Sequence, residues 1–331
     1  MKNTIAIVMI GLFFSCSKNN NEAPGSFKHV DQVLWVVEDL DKVISQWNLL
    51  GFNQIIHLGT ANVFMKKGGN MVKIKIAKAN LGGASVTWIQ PVEGESLFSE
   101  HLKKHGEGAI SLVHRMEKKK EVMAERRRLA RLGVDMKEEI RIPTRKGEIW
   151  FMLADTYEKG KYYLGYTTGW DDEQVNKSLS AGNLHNLTLN QYAFAVREPE
   201  PVSAFWHSLG QPAFEMSDPI LGNPHYYGQP SAHSLRQGWQ RGYDIAYEWC
   251  IPVKNPTVYN DFIVNHGDGI HHLAYQVKDM DVVLNDFKTK GFTVSQGGTW
   301  GETGKPGSGR YEYIDMEGAG SIAVELLWNF K

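Results

Sequence analysis

Two stretches, NQYAFAVREPEPVSAFWHSLG (Asn190–Gly210) and HHLAYQVKDMDVVLNDFKTKGF (His271–Phe292), spell one structural unit twice. Each opens with a short alternating apolar strand, passes an acidic turn, and runs into an amphipathic helix that stops at glycine. Each unit later closes on a strand with one carboxylate among apolar residues: Glu248 in DIAYEWCIP and Glu325 in SIAVELLW. Ligand-type side chains therefore fall on the first strand of each copy (Gln191, His272) and on the last. The symmetry points to one site built between two copies of a repeat.

Working outward, two further units precede this pair. The first begins at DQVLWVVEDLDKVISQWNLLGF (Asp31–Phe52) and continues through VKIKIAKA to SVTWIQP. The second begins at AISLVHRM, passes a charged helix, and resumes with EIWFMLAD and YYLGYTTG. Every unit reads as strand, helix, then several strands. Leu40, Val43, Ile44 and Trp47 share one helix face, as do Met280, Val283, Leu284 and Phe287. Asp39 and Asp279 are placed to cap those helices, and Gly51 and Gly291 to end them, so these residues have structural reasons enough. The connectors PVEGESLFSEHLKKHGEG and PVKNPTVYNDFIVNHGDG echo each other, each ending in His-Gly-acid-Gly. That echo makes the two halves copies of one two-unit domain. In the charged helix, Lys118–Lys120 and Arg126–Arg128 interleave with Glu117, Glu121 and Glu125, which predicts a solvated face.

Composition bounds the function. Of 331 residues, 42% are apolar and 22% charged, as in a folded globular protein. The net charge of −1 gives no electrostatic reason to expect nucleic acid. The ten tryptophans read mainly as core residues. With only two cysteines, Cys16 and Cys250, processing before Cys16 would leave Cys250 without a framework to join. At the N-terminus, Lys2 and the apolar run Ile5–Phe14 are too short for a spanning helix, which needs about 20 apolar residues. The segment is similar to a bacterial lipoprotein signal, with lipid on Cys16 and a polar tether behind it. The expected layout is a signal at 1–15, a tether at 16–26, a first domain at 27–170, a linker at 171–184 and a second domain at 185–331. That places the protein on the envelope of a bacterium, held to a membrane by its lipid.

The units resemble the βαβββ modules of the vicinal oxygen chelate superfamily, which includes glyoxalase I, methylmalonyl-CoA epimerase and the extradiol dioxygenases. HGDGIHHLAYQVKDMD and GRYEYIDMEGAGSIAVELLW carry the resemblance most clearly, toward the epimerase-like branch. It implies an α+β fold of four βαβββ modules, paired into two cup-shaped barrel domains with a metal on a barrel floor. It places the family's ligands on Gln191, Glu248, His272 and Glu325, with His271 the alternative to His272 as the inward residue. It also implies one divalent ion: Zn, Ni, Co or Mn, or Fe for a dioxygenase. Period-two alternation agrees, setting Gln191, Ala193 and Ala195 on one face and Glu248 with Ala246 and Cys250 on another. A carboxylate on a core-facing strand is costly unless it is paired or bound to metal. In the first half the matching places fall on Gln32, Thr87 and Ser111, and the last strand has no carboxylate, so that half is expected to hold no metal.

The resemblance implies proton transfer next to a carbonyl through an enolate, as in an isomerase, epimerase or lyase. Glu325 is the expected main base, with Glu248 its complement. His233, Arg236, Trp239, Tyr226 and Arg310 are further candidates for contact with a small-molecule substrate, Arg310 as an anion clamp beside a glycine-rich lid. A sugar-derived compound, a keto acid or an aromatic compound would suit a site outside the cytoplasm. Two other readings stand beside this one: an extradiol-type iron dioxygenase, and a metal-free ligand-binding lipoprotein. No sequence feature sets an oligomeric state.

Overall fold

The computed structural model describes residues 23–144, 147–169 and 183–330. Cys16, the signal segment and most of the expected linker lie outside the described residues. Four βαβββ modules follow in order. The first is β1 (Gln32–Val36), α1 (Leu40–Leu49), β2 (Ile55–Met65), β3 (Asn70–Leu81) and β4 (Ala84–Glu93). After the connector helix α2 (Leu97–His105) come β5 (Gly108–Arg115), α3 (Lys119–Arg131), β6 (Met136–Thr144), β7 (Gly147–Ala154), the short α4 (Tyr157–Gly160) and β8 (Tyr163–Gly169). The third module is β9 (Thr188–Ala195), α5 (Pro199–Ser208), β10 (Glu215–Ser217), β11 (Leu221–Tyr226), β12 (Gln229–Pro230), β13 (Ser234–Gln240) and β14 (Ala246–Lys254). Connector α6 (Val258–His266) leads to β15 (Gly269–Gln276), α7 (Met280–Thr289), β16 (Val294–Trp300), β17 (Gly309–Ile314) and β18 (Ala323–Asn329).

The expected helix signals operate as read. Asp39 accepts hydrogen bonds from the amides of Asp41 and Lys42, and Asp279 from that of Val282. Gly51 and Gly291 sit just past their helices at φ +94° and +90°, where a side chain would be strained. The charged helix departs from expectation. Arg128 is buried and bonds Glu125 at 2.7 Å, while also reaching the carbonyl of Leu209 at 2.9 Å in the other half. Arg126 pairs with Glu139. Part of that face is an internal seam, because α3 packs between its own barrel and the neighbouring domain.

The two halves differ in closure. In the first, the order β1-β4-β3-β2-β6-β7-β8-β5 forms a closed barrel. Long strands β2 and β3 pair along almost their whole length. Its interior is filled by branched apolar side chains such as Leu34, Val36, Ile74, Ile89, Ile140 and Leu153. In the second half the order is β10-β13-β14-β9-β15-β18-β17-β16-β11-β12, and β11 never pairs with β13. Short strands carrying Pro224 and Pro230 replace the long hairpin, and proline cannot donate to a ladder. The cup is therefore open on the β11 and β13 side, with the short strands β12 and β10 as its free edges.

The His-Gly echo joins the halves. The Nδ1–H of His105 donates to the carbonyl of His266 at 2.8 Å, and the Nδ1–H of His266 donates back to the carbonyl of His105 at 2.6 Å. Trp35 and Trp206 reach across as well, bonding the carbonyls of Gly320 and Gly160. Among the described residues, no helix is long and apolar enough to cross a membrane.

Candidate metal centre

The second cup's floor is a checkerboard. Cross-strand pairing sets one row as Ala246, Gln191, Ala274 and Glu325, and the next as Glu248, Ala193, His272 and Ala323. Each polar side chain has alanines beside it and another polar group on the diagonal. Directly paired residues share a face about 5 Å apart, so the four methyls leave space for the four longer side chains to converge above them.

His272 faces this floor, and a backbone irregularity explains how two successive histidines are sorted. β15 carries a bulge between Ile270 and His272, so His271 is the extra residue opposite β9. The first half repeats the irregularity between β1 and β5, where Ile110 is the extra residue. His271 and His272 are both buried, and their Nδ1 atoms lie 2.8 Å apart. One N–H donates to the other's lone pair. If His272 is the donor, its Nε2 is left as a free lone pair aimed at the floor, the arrangement a ligating imidazole needs.

The floor atoms are close and underpartnered. His272 Nε2 lies 3.2 Å from Glu325 Oε2 and 3.8 Å from Glu248 Oε2. Gln191 Oε1, His272 Nε2 and Glu325 Oε2 are all buried with no hydrogen-bond partner. Three orphaned polar atoms in one place cost several kcal/mol, roughly 1–3 each, unless something binds them. One imidazole nitrogen and three oxygens form a donor set that suits a divalent transition ion, so the residues present fit the metal that the resemblance implies. Burial alone drives the His272 pKa down to about 3, keeping the ring neutral. Burial raises both carboxylates to about 8, with Glu325 adding repulsion at Glu248.

Supporting groups fix the orientation. Gln237 donates to Glu248 Oε1 at 2.6 Å, leaving Oε2 for the floor. Tyr313 donates to Glu325 and shares a 2.8 Å hydroxyl contact with Tyr259. Cys250, two residues beyond Glu248, shares its face. Glu248, Cys250 and His272 offer ligand atoms within 4.8 Å of one another. Burial pushes the Cys250 thiol well up, as do the neighbouring carboxylates, so it stays protonated as a bonding partner of Glu248. Glu325 is the better fourth donor on distance and on its orphaned oxygen. Gln237, Cys250, Tyr259 and Tyr313 were not singled out from the sequence, although alternation along their strands marks Gln237, Cys250 and Tyr313.

Above the floor lies a cavity of about 310 Å³, bordered by Gln191, Gln237, Trp239, Glu248, Tyr259, Trp300, Tyr311, Tyr313 and Glu325. Trp239 is thus at the cavity as expected. The other substrate-contact candidates are not. Arg236 is on the opposite face of β13, 3.3 Å from Asp218 and 3.9 Å from Glu200. Arg310 is on the outer face of β17, held by Asp281 at 2.8 Å and Glu312 at 2.6 Å. Both corrections have one reason: neighbours along a strand point to opposite sides, and Trp239 and Tyr311 take the inner one. Tyr226 bonds Asp261 at 2.6 Å and does not border the cavity. His233 stands behind the wall, 3.3 Å from the Tyr311 hydroxyl.

The first half's matching positions look different. Gln32 Oε1 accepts from Thr87 at 2.5 Å, and the place of Glu325 is taken by Gly165. A Cβ at Gly165 would sit 2.6 Å from Ser111 Oγ, so the packed barrel has no room for a carboxylate there.

One closed barrel and one open cup of paired βαβββ modules, the second with convergent donors on its floor, match the paired cup-shaped domains of the vicinal oxygen chelate fold. Residues 190–309, within the second half, match the family model of the Glyoxalase/Bleomycin resistance protein/Dioxygenase superfamily. Among solved structures, a triple mutant of 4-hydroxymandelate synthase from Streptomyces coelicolor is similar in fold. It has a TM-score of 0.61 at 12% identity, over 91% of this chain and 92% of that one. A xylose isomerase-like TIM barrel/4-hydroxyphenylpyruvate dioxygenase fusion protein gives 0.51 at 10% identity, over 92% of this chain and 49% of that one. No curated protein matches.

Proposed function

We propose that the protein is a divalent-metal-dependent isomerase, epimerase or lyase that moves a proton next to a carbonyl, by way of an enolate. The single observation that carries this is the set of orphaned donors on the alanine floor, Gln191 Oε1, His272 Nε2 and Glu325 Oε2, with Glu248 beside them. Zinc, nickel, cobalt or manganese would be held by Gln191, Glu248, His272 and Glu325. A bound ion supplies Lewis-acid stabilisation for negative charge on a substrate oxygen.

The chain's own groups do the rest. Glu325, kept in place by Tyr313, takes the proton from the carbon beside the carbonyl. Glu248, steadied by Gln237, stands across the floor to return a proton from the other side. Neutral His272 does not compete for it. The aromatic walls keep water from the carbanionic carbon. In deuterium oxide, the metal-loaded protein should exchange the carbon-bound proton of its carbonyl substrate, followed by proton NMR. Glu325→Gln should slow that exchange at least 100-fold, in line with the usual worth of a general base.

A second reading is supported by the fold likeness to a protein titled as a dioxygenase fusion, which extends over both halves of this chain. Iron uptake with oxygen consumption on a catechol or hydroxyphenylpyruvate would favour it. Gln191 speaks against it, since the resemblance puts a histidine there in dioxygenases. A metal-free binding protein, the third reading, would leave the orphaned donors unexplained. The envelope location through lipid on Cys16 is part of the same proposal.

A further inference from the structure

We infer that the substrate is an uncharged ring compound, and that the cavity discriminates against anions. This deepens the proposed function and rests on the floor being its reacting end.

The first observation is charge. Apart from the floor residues Glu248, His272 and Glu325, the described residues that border the cavity include no aspartate, glutamate, arginine, lysine or histidine. Among the described residues, neither carboxylate is paired with an arginine or lysine. The two cations that would have clamped an anion, Arg236 and Arg310, face away and are already paired. Arg241 stacks on Trp239 at 4.8 Å, but it does not border the cavity and Glu215 lies 3.5 Å from it. An ion of charge +2 with two carboxylates sums to zero, so a phosphate or carboxylate on the substrate would be buried without a counter-charge, at high cost.

The second observation is shape. Trp239 on β13 and Trp300 with Tyr311 on β16 and β17 stand on opposite sides of the floor strands. Two aromatic walls favour a flat or chair-like ring between them. The other polar groups at the cavity are the amides of Asn190, Gln237, Gln276 and Asn329 and the hydroxyls of Tyr259, Tyr311 and Tyr313. Amides both donate and accept, which suits hydroxyl groups and gives no preference to an anion. At about 310 Å³ the cavity matches one ring with short substituents.

The test uses catechol and protocatechuate, the same ring diol without and with a carboxylate. Binding to the purified protein is measured by equilibrium dialysis, metal-loaded and metal-free. The expected result is that the metal-loaded wild type binds catechol at least tenfold more tightly than protocatechuate. Leu221→Arg, which puts a cation on the open side of the cup, should reverse the ratio while the circular dichroism stays the same. Equal or tighter binding of protocatechuate by wild type overturns the inference. So does a ratio unmoved by Leu221→Arg, or binding of neither ring at millimolar concentration. A protein that takes up no metal yet keeps the ratio would contradict the catalytic reading and leave this one standing.

Discussion

Replacing Glu325 by glutamine should make the metal-free protein more stable at alkaline pH, which is the reverse of what most core substitutions do. In the metal-free fold Glu325 titrates near 8, against 4.5 for the ordinary carboxyl, because it is buried. The folded pKa lies above the unfolded one. Its contribution is therefore intact below pH 4.5 and is lost as pH rises toward 8. Each pH unit between the two costs about 1.4 kcal/mol, so at pH 7.5 the burden approaches about 4 kcal/mol. A glutamine keeps the shape and carries no charge, but its buried amide costs roughly 2 kcal/mol of its own. A net gain of about 2 kcal/mol corresponds to a rise in Tm of about 4 °C or more. Thermal unfolding with a chelator present, at pH 4.5 and pH 8, measures it. The gain should appear at pH 8 and turn into a loss at pH 4.5, where only the amide's cost of roughly 2 kcal/mol is left. A variant less stable than wild type at both pH values, or a gain independent of pH, would refute the assignment of Glu325 to a burial-strained floor.

Further outcomes follow from the same geometry. Because both carboxylates must shed protons held up to about pH 8, the rise in Tm given by zinc or nickel should be larger at pH 8 than at pH 6, as read by a thermal shift series. Ala274→Val would push a branched side chain between Gln191 and Glu325. Metal affinity measured by competition with a chelator should fall at least tenfold, while the overpacked fold loses roughly 1–3 kcal/mol. Cys16→Ser should move the protein from the membrane to the soluble fraction of cells without changing its metal content; an unchanged distribution would end the lipid-anchor proposal.

The repeat was legible because strands and helices impose periods of two and 3.6 on apolar residues, and these survive where identities do not. The repeat marks Gln191, Glu248, His272 and Glu325 as polar residues on apolar strands, the resemblance makes them the ligands, and the structure brings all four to one floor. Register explains what was misread. Arg236 and Trp239, both candidates from the sequence, have opposite parity on β13, so only one of them can face inward. Arg310, a candidate for its place beside a glycine-rich loop, likewise has the parity opposite to the inward Tyr311 and Tyr313. Cys250 shares the Glu248 face by the same alternation, but the resemblance gives it no ligand role. The opening on the β11 and β13 side was not legible, since it depends on a pairing that never forms rather than on a pattern within any strand. The burial of Arg128 was also hidden, because its partner Leu209 belongs to the other half.

The most direct test of the metal floor is metal content by mass spectrometry on purified wild type beside a His272→Ala/Glu325→Ala double variant. Near-stoichiometric zinc, nickel, cobalt or manganese in the wild type, absent from the variant, is the predicted result. Iron in its place would favour the dioxygenase reading. A wild type that holds no metal, even after ions are added back, would contradict the metal floor.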